Sequence, residues 1–170
     1  MMVSCIFFHE RSSMTLEGTK APDFSLQGSD GTDHSLARYA GKGIVLFFYP
    51  KDNTSGCTKE ACAFSELSTQ FAELGFTVLG VSKDSLASHG RFIQNHGLTT
   101  ILLSDPDTTM MQAYQAFGEK VMYGKAVQGT IRSTVVIMPD GTIGRHWPKV
   151  AKAETHPQAV LDYLGSLKRP

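Results

Sequence analysis

The sequence has no excess charge of either sign. Sixteen Lys plus Arg offset sixteen Asp plus Glu, so the formal net charge is zero, and there is no electrostatic case for a nucleic acid or an anionic membrane as partner. Cysteine is scarce. Three in 170 residues is an odd number and too few for a disulfide scaffold, which points to a reducing compartment, the cytoplasm, with any working disulfide transient. Long apolar runs are missing too: the longest, Ile44 to Tyr49, is far below the roughly 20 residues a membrane-spanning helix needs. There is no CxxC, no internal repeat, no low-complexity tract and no interdomain linker. The six histidines, His9, His34, His89, His96, His146 and His156, are scattered. None pairs with Cys or another His at ligand spacing, so no metal is expected.

The N-terminal stretch "MMVSCIFFHERSS" has no basic start, only a short apolar patch and then charged residues, which is unlike a signal peptide. Residues 1–13 read as an extension expected to be poorly ordered, and Cys5 within it is discounted. Residues 14–170 read as a single domain, a length that supports one core. With 41% apolar and 19% charged residues, the chain has globular composition.

What is present alternates between the periods of strands and helices. "APDFSLQGSDGTDHSL" predicts two short strands around a Gly/Asp turn. "GIVLFFY" at 43–49 is a continuous β-branched and aromatic run, as in a central strand buried on both faces. After the polar loop "KDNTSG", the apolar residues Phe64, Leu67, Phe71 and Leu74 form one stripe, predicting a helix from Cys57 that Gly75 ends. Strands at 76–82 and 100–105 bracket a helix near 85–96. "DTTMMQAYQAF" (107–117) reads as a helix with an Asp cap, in which the Met110–Met111 pair is packing. "STVVIMPDGTIGRHW" is a hairpin with Pro-Asp-Gly at its turn, and 155–167 closes the chain as a helix. The expected order is β-hairpin, β, α, β, α, β, α, ββ, α: an α/β fold with a central mixed sheet and helices on both faces.

The chemistry sits in "YPKDNTSGCTKEAC". Cys57 falls where a buried strand gives way, through a loop, to a helix, and the carboxyl ends of strands are where α/β sheets build sites. A helix N-terminus offers free N–H groups and a positive dipole end, both of which stabilise a thiolate. Cys57 is therefore a candidate nucleophile, against the alternative of a buried small hydrophobe. Thr54 could donate to a thiolate or accept from a substrate hydroxyl, or serve only as a turn residue. Lys51 and Lys59 are read as solvated. Arg132, at the head of an apolar strand, is either a surface residue or a cation brought toward Cys57. Cys62 is five residues beyond Cys57. On one helix their Cα atoms lie roughly 9 Å apart, whereas a disulfide wants about 4.4–6.8 Å. Either Cys62 is inert core, or the first helical turn unwinds to let the sulfurs meet.

Together these residues resemble the active-site loop of the peroxiredoxins, PxxxTxxC, here Pro50, Thr54 and Cys57. The agreement is closer still with the bacterioferritin comigratory protein (peroxiredoxin Q) subfamily, through "APDFSLQGSDG", "VLGVSKDS", "LLSDPD", "FGEKVMYGK" and "IRSTVVIMPDGTI". Ser55 stands where the subfamily commonly carries proline, and "AFSE" at 63–66 lacks a basic residue often found there. The resemblance implies a thioredoxin-like fold and reduction of hydrogen peroxide and organic hydroperoxides. It implies Cys57 as peroxidatic cysteine, Thr54 as its hydroxyl partner, Arg132 as the active-site arginine, and Cys62 as resolving cysteine. Pro50 and Tyr49 are expected at the substrate pocket. The same resemblance implies thioredoxin or a similar dithiol as reductant, no metal or organic cofactor, and a monomer. From the residues alone, a thiol–disulfide oxidoreductase or a non-catalytic thioredoxin-like binding module would share the fold. Neither needs Thr54 or Arg132, and the oxidoreductase would favour CxxC.

Overall fold

The computed structural model describes residues 16–167; the expectations for residues 1–13 and Cys5 fall outside that range. The strands are β1 (Ser25–Gln27), β2 (Asp33–Ser35), β3 (Gly43–Phe48), β4 (Phe76–Ser82), β5 (Ile101–Ser104), β6 (Phe117–Met122), β7 (Lys125–Thr130), β8 (Ser133–Ile137) and β9 (Ile143–Trp147). The helices are α1 (Ser55–Glu66), α2 (Ser68–Glu73), α3 (Leu86–His96), α4 (Thr109–Ala113) and α5 (His156–Leu167). A central five-stranded sheet runs in the order β5-β4-β3-β8-β9. β3, β4 and β5 are mutually parallel, and β8 and β9 add antiparallel strands. The mixed sheet and the flanking helices are those that the alternating pattern implies, and the architecture is thioredoxin-like.

β3 lies at the centre because every one of its residues is apolar or glycine, so it can be buried on both faces. Its side chains alternate between two cores. Ile44, Leu46 and Phe48 join Leu79, Val81, Leu103, Val135 and the α4 methionines on one face. Val45, Phe47 and Tyr49 join Phe64 of α1, Phe71 of α2, Phe92 of α3 and Val160 of α5 on the other. Full burial of each such side chain contributes about 1.5–3 kcal/mol. Gly80 permits the second core to close. A Cβ there would lie 2.6 Å from the Phe47 ring and 2.7 Å from Leu102, so the ring occupies the space a larger residue would need.

Three expectations are corrected. The single helix predicted from Cys57 to Gly75 is two, broken at Leu67 (φ −93°, ψ 1°). The Ser65 carbonyl accepts from the Thr99 hydroxyl at 3.2 Å and the Ser65 hydroxyl accepts from the Thr99 amide at 3.1 Å, which turns the end of α1 toward β5. The apolar stripe continues across the break because Phe64 and Phe71 enter the same core. The helix expected at 107–117 spans only Thr109–Ala113. Tyr114 is fully buried with its hydroxyl on the Pro22 carbonyl at 2.6 Å, and Gln115 turns left-handed (φ 58°). The start of this helix is capped twice, Asp107 accepting from the Thr109 amide and Asp105 from the Met111 amide. Finally, β6 and β7 form a hairpin absent from the expected order. Its Tyr123-Gly124 turn has both φ positive (51° and 77°), the geometry of a two-residue hairpin loop.

Candidate active site

β3 ends at Phe48, and Tyr49 and Pro50 carry the chain out to the loop. Thr54 adopts the extended backbone of a helix N-cap (φ −90°, ψ 155°). Its side chain does not cap α1; the hydroxyl donates instead to the Lys51 carbonyl at 2.8 Å. Cys57 is the third residue of α1, within the turn whose amides have no intrahelical acceptor. It is 1% exposed, with its sulfur in the second core beside Ala61 and Phe64.

Arg132 lies in the two-residue link between β7 and β8. Its backbone carbonyl accepts from the Val150 amide at 2.8 Å, and the preceding Ile131 amide is tied to the Ala116 carbonyl at 2.7 Å. The guanidinium turns inward. Nη2 donates to Cys57 Sγ at 3.2 Å, and Nη1 to Glu60 Oε1 at 3.0 Å. Two charged hydrogen bonds from one fork fix the plane of the arginine.

Glu60 is a residue that the sequence reading passed over. It follows Cys57 by one turn, which places both on one helix face. It is fully buried, and Oε2 has no partner among the described residues. Burial pushes its carboxyl up to about 7, and the single bond from Arg132 offsets only part of that penalty. Burial works against the charge of Arg132 as well, but Glu60 and Cys57 outweigh it and hold the guanidinium above its ordinary value. His156 faces the same cation. Burial, and then Arg132, depress its imidazole to about 4, so it is neutral, with Nε2 at 2.8 Å from the Thr134 hydroxyl.

Gly56 was also passed over. A Cβ at this position would stand 3.2 Å from Arg132 Nη2, so the absence of a side chain lets the guanidinium reach the sulfur. In the sequence, the sign was a glycine directly before the cysteine at a helix start.

A cleft of about 460 Å³ opens beside Arg132. Pro50, Ile131, Val150, Lys120 and Lys149 line it with Arg132. A slightly larger groove of about 520 Å³, lined by Gln70, Glu73, Leu161 and Asp162, lies between α2 and α5 and contains none of the reactive groups. Pro50 is therefore at the cleft, and Tyr49 is placed elsewhere: it is wholly buried beneath the loop, with its hydroxyl donating to Asp52 at 2.6 Å. Lys59 is exposed and lies 3.9 Å from Glu154. No group of three His, Cys, Asp or Glu among the described residues could hold a metal ion, and no described helix is long and apolar enough to cross a membrane.

Cys62 is a half-buried free thiol on the same unbroken helix as Cys57, which is also free. Burial pushes the Cys62 thiol up, and the charge of Glu66 adds to the effect.

A thioredoxin-like sheet that presents one cysteine at a helix start, against an inward-turned arginine, defines a thiol-based redox protein. Residues 18–146 match the AhpC/TSA family, and the chain belongs to it. The chain is 43% identical to peroxiredoxin Bcp of Bacillus subtilis over 89% of its length and 96% of that protein. It is 42% identical to peroxiredoxin Bcp of Xanthomonas campestris, over 84% of the chain and 88% of the relative. The solved structure of Xanthomonas campestris peroxiredoxin Q superposes with a TM-score of 0.79 at 41% identity, covering 84% of this chain and 90% of that one. Within the family the chain is a peroxiredoxin of the Bcp/peroxiredoxin Q kind, a thiol peroxidase.

Proposed function

We propose that the protein reduces hydrogen peroxide and organic hydroperoxides through Cys57, and that Cys62 and thioredoxin complete the cycle. The observation that carries this reading is the 3.2 Å contact between Arg132 Nη2 and Cys57 Sγ at the start of α1. A fixed cation and the free amides of the first turn favour the thiolate and face the site where oxygen charge develops.

The hydroperoxide enters beside Pro50 and Arg132. The Thr54 proton is engaged by the Lys51 carbonyl, so its oxygen acts as an acceptor and orients the peroxide through the peroxide's own O–H. The Cys57 thiolate attacks the terminal oxygen. The S–O bond forms as the O–O bond breaks, and the leaving alkoxide or hydroxide takes up one proton, so Cys57–S⁻ + ROOH + H⁺ gives Cys57–SOH + ROH. The negative charge passes from sulfur to oxygen while Arg132 stays within reach of both.

The sulfenic acid and the Cys62 thiol then condense, releasing water and forming a disulfide. With five residues on an intact helix, the first turn of α1 must unwind before the sulfurs meet. A dithiol reductant, thioredoxin being the expected donor, reduces this disulfide by exchange and is itself oxidised. The test is peroxide consumption coupled to thioredoxin, with a peptide map of the oxidised protein. Wild type should turn over and show a Cys57–Cys62 bridge, and Cys57→Ser should do neither. A Cys62→Ser protein that still forms an internal disulfide would show that the resolving assignment is wrong.

A further inference from the structure

A buried charged network lies under the Cys57 loop and takes no part in the chemistry described above. Asp52 is five residues before Cys57, and its carboxylate collects three partners. Tyr49 donates to Oδ1 at 2.6 Å, Ser88 donates to Oδ2 at 2.8 Å, and His89 Nδ1 stands 2.7 Å from Oδ2. Burial alone would raise the Asp52 carboxyl, but the His89 and Tyr49 bonds hold it below its ordinary value. His89, on α3, is fully buried, and its Nε2 lies 2.9 Å from the Leu103 carbonyl on β5. A carbonyl can only accept, and the Asp52 carboxylate is ionised, so both ring nitrogens face acceptors. The ring bridges the two, tying the Asp52 carboxylate to the β5 backbone.

This pair fastens the start of the loop to α3 and β5. The Asp52 amide adds a third tie, to Asp84 Oδ2 at 2.9 Å, and Asp84 is itself held by the Ser82 hydroxyl at 2.7 Å. Immediately afterwards Asn53 turns left-handed (φ 60°) and the chain enters α1. At the far end of α1, Ser65 is held to Thr99 by two bonds. Between these posts, the side-chain hydrogen bonds to residues Ser55 to Cys62, among the described residues, are the two from Arg132.

We infer that His89 is a positioning residue whose ring, bridged between Asp52 and the Leu103 carbonyl, holds Asp52 as the fixed end of the Cys57 segment, confining unwinding to the stretch between Asp52 and Ser65. The inference rests on the reading of Cys57 and Cys62 given under Proposed function. It separates two steps that want opposite things. Attack on peroxide needs the loop held, so that Cys57, Thr54 and Arg132 keep their registration. Disulfide formation needs the same segment released. Loosening the post should therefore slow the first step and speed the second. It should also lower the competing step, in which Cys57–SOH plus a second ROOH gives Cys57–SO₂H plus ROH, because resolution would win more often.

The test uses His89→Gln and Asp52→Asn, each close in volume to the residue it replaces. Rapid mixing with peroxide yields the rate of Cys57 oxidation and, separately, of disulfide closure. Cys57 oxidation should fall about tenfold or more, as expected for misplacement of reacting groups, while closure accelerates and sulfinic acid at excess peroxide declines. In the reduced proteins, amide exchange should quicken at residues 51–54. Ser88→Ala removes one donor to Asp52 and should give the same signs at smaller size should either replacement prevent folding. Two rates falling by one common factor, or both unchanged beneath a lowered melting temperature, would overturn the role of His89. If wild type itself forms no Cys57–Cys62 bridge, the resolving assignment fails separately, and oxidation rate and amide exchange still decide for or against the post.

Discussion

Cys57 and Cys62 are the same side chain on the same helix, yet their surroundings share little. Cys57 lies in the first turn, at the positive end of the α1 dipole, with Arg132 against its sulfur and Gly56 clearing the approach. Cys62 lies a turn and a half further on, where every amide is already used within the helix. It has no side-chain hydrogen-bond partner among the described residues, and burial, with the charge of Glu66 added, pushes its thiol up. On the reading proposed above, placement decides which thiol attacks. An electropositive helix start makes a nucleophile, and a mid-helix site beside a carboxylate makes a thiol that waits.

The strongest way to break the contrast is to remove the favoured thiol. Cys57→Ser should lower peroxide turnover by about three orders of magnitude or more, as loss of a covalent nucleophile does, whereas Cys62→Ser should leave the first oxidation of Cys57 at its wild-type rate. Single-turnover mixing of reduced protein with peroxide distinguishes them; equal losses would mean that the two cysteines are not divided into these roles. Next in size is the cation. Arg132→Gln should reduce the rate constant for Cys57 oxidation by about 10²–10³, the usual cost of one preorganised charged donor. Arg132→Lys should recover only part of it, because an ammonium cannot hold Glu60 and the sulfur with one planar fork. A fully active Arg132→Gln would remove the arginine from the mechanism. A smaller effect is expected from Gly56→Ala. The new Cβ, 3.2 Å from Nη2, forces a shift of a few tenths of an ångström, and Cys57 oxidation should slow by about tenfold or less. The fold itself should tolerate Ala in a first helical turn. An unchanged rate would show that the guanidinium has room to spare.

Much of this was legible from the chain alone. β3 declared itself by unbroken apolarity, and the helix near 85–96 by the strands that bracket it; the structure adds its Ser85 cap bond at 3.2 Å and its left-handed end at Gly97. Cys57 stood out because polar and glycine residues flank it after a buried strand. What did not show depends on contacts between distant parts of the chain. The break at Leu67 depends on Thr99, and the early end of α4 on Tyr114 reaching Pro22. The β6–β7 hairpin was missed because Gly, Lys and Glu dilute its strand pattern, although Tyr123-Gly124 was a readable turn. Arg132 was ambiguous in sequence because its partners lie 75 and 72 residues away. Glu60 resembled any other helix carboxylate; only the fold shows that it has no water to face.

Glu60 also sharpens the contrast between the two thiols, through pH. Its carboxyl is raised by burial from 4.5 to about 7. A folded-state value above the unfolded one means that the favourable contribution is complete below the unfolded pKa and is lost as pH rises through the folded one. Between about pH 4.5 and 7.5, wild type should therefore lose stability relative to Glu60→Gln, by about 3 kcal/mol in all. His156 acts in the opposite sense: its neutral form is held down to about pH 4, so its contribution is lost on acidification, but it is common to both proteins and largely cancels in their difference. Urea denaturation of the two reduced proteins across this range measures the effect, and a pH-independent difference would mean that Glu60 titrates normally. The same proton governs what Arg132 does for sulfur. While Glu60 is neutral, the guanidinium charge is left to Cys57; once Glu60 ionises, the two anions share it. Below pH 7, then, Glu60→Gln should match wild type in Cys57 oxidation rate. Above pH 7, where only wild type carries the second anion, Glu60→Gln should be the faster, by a few-fold.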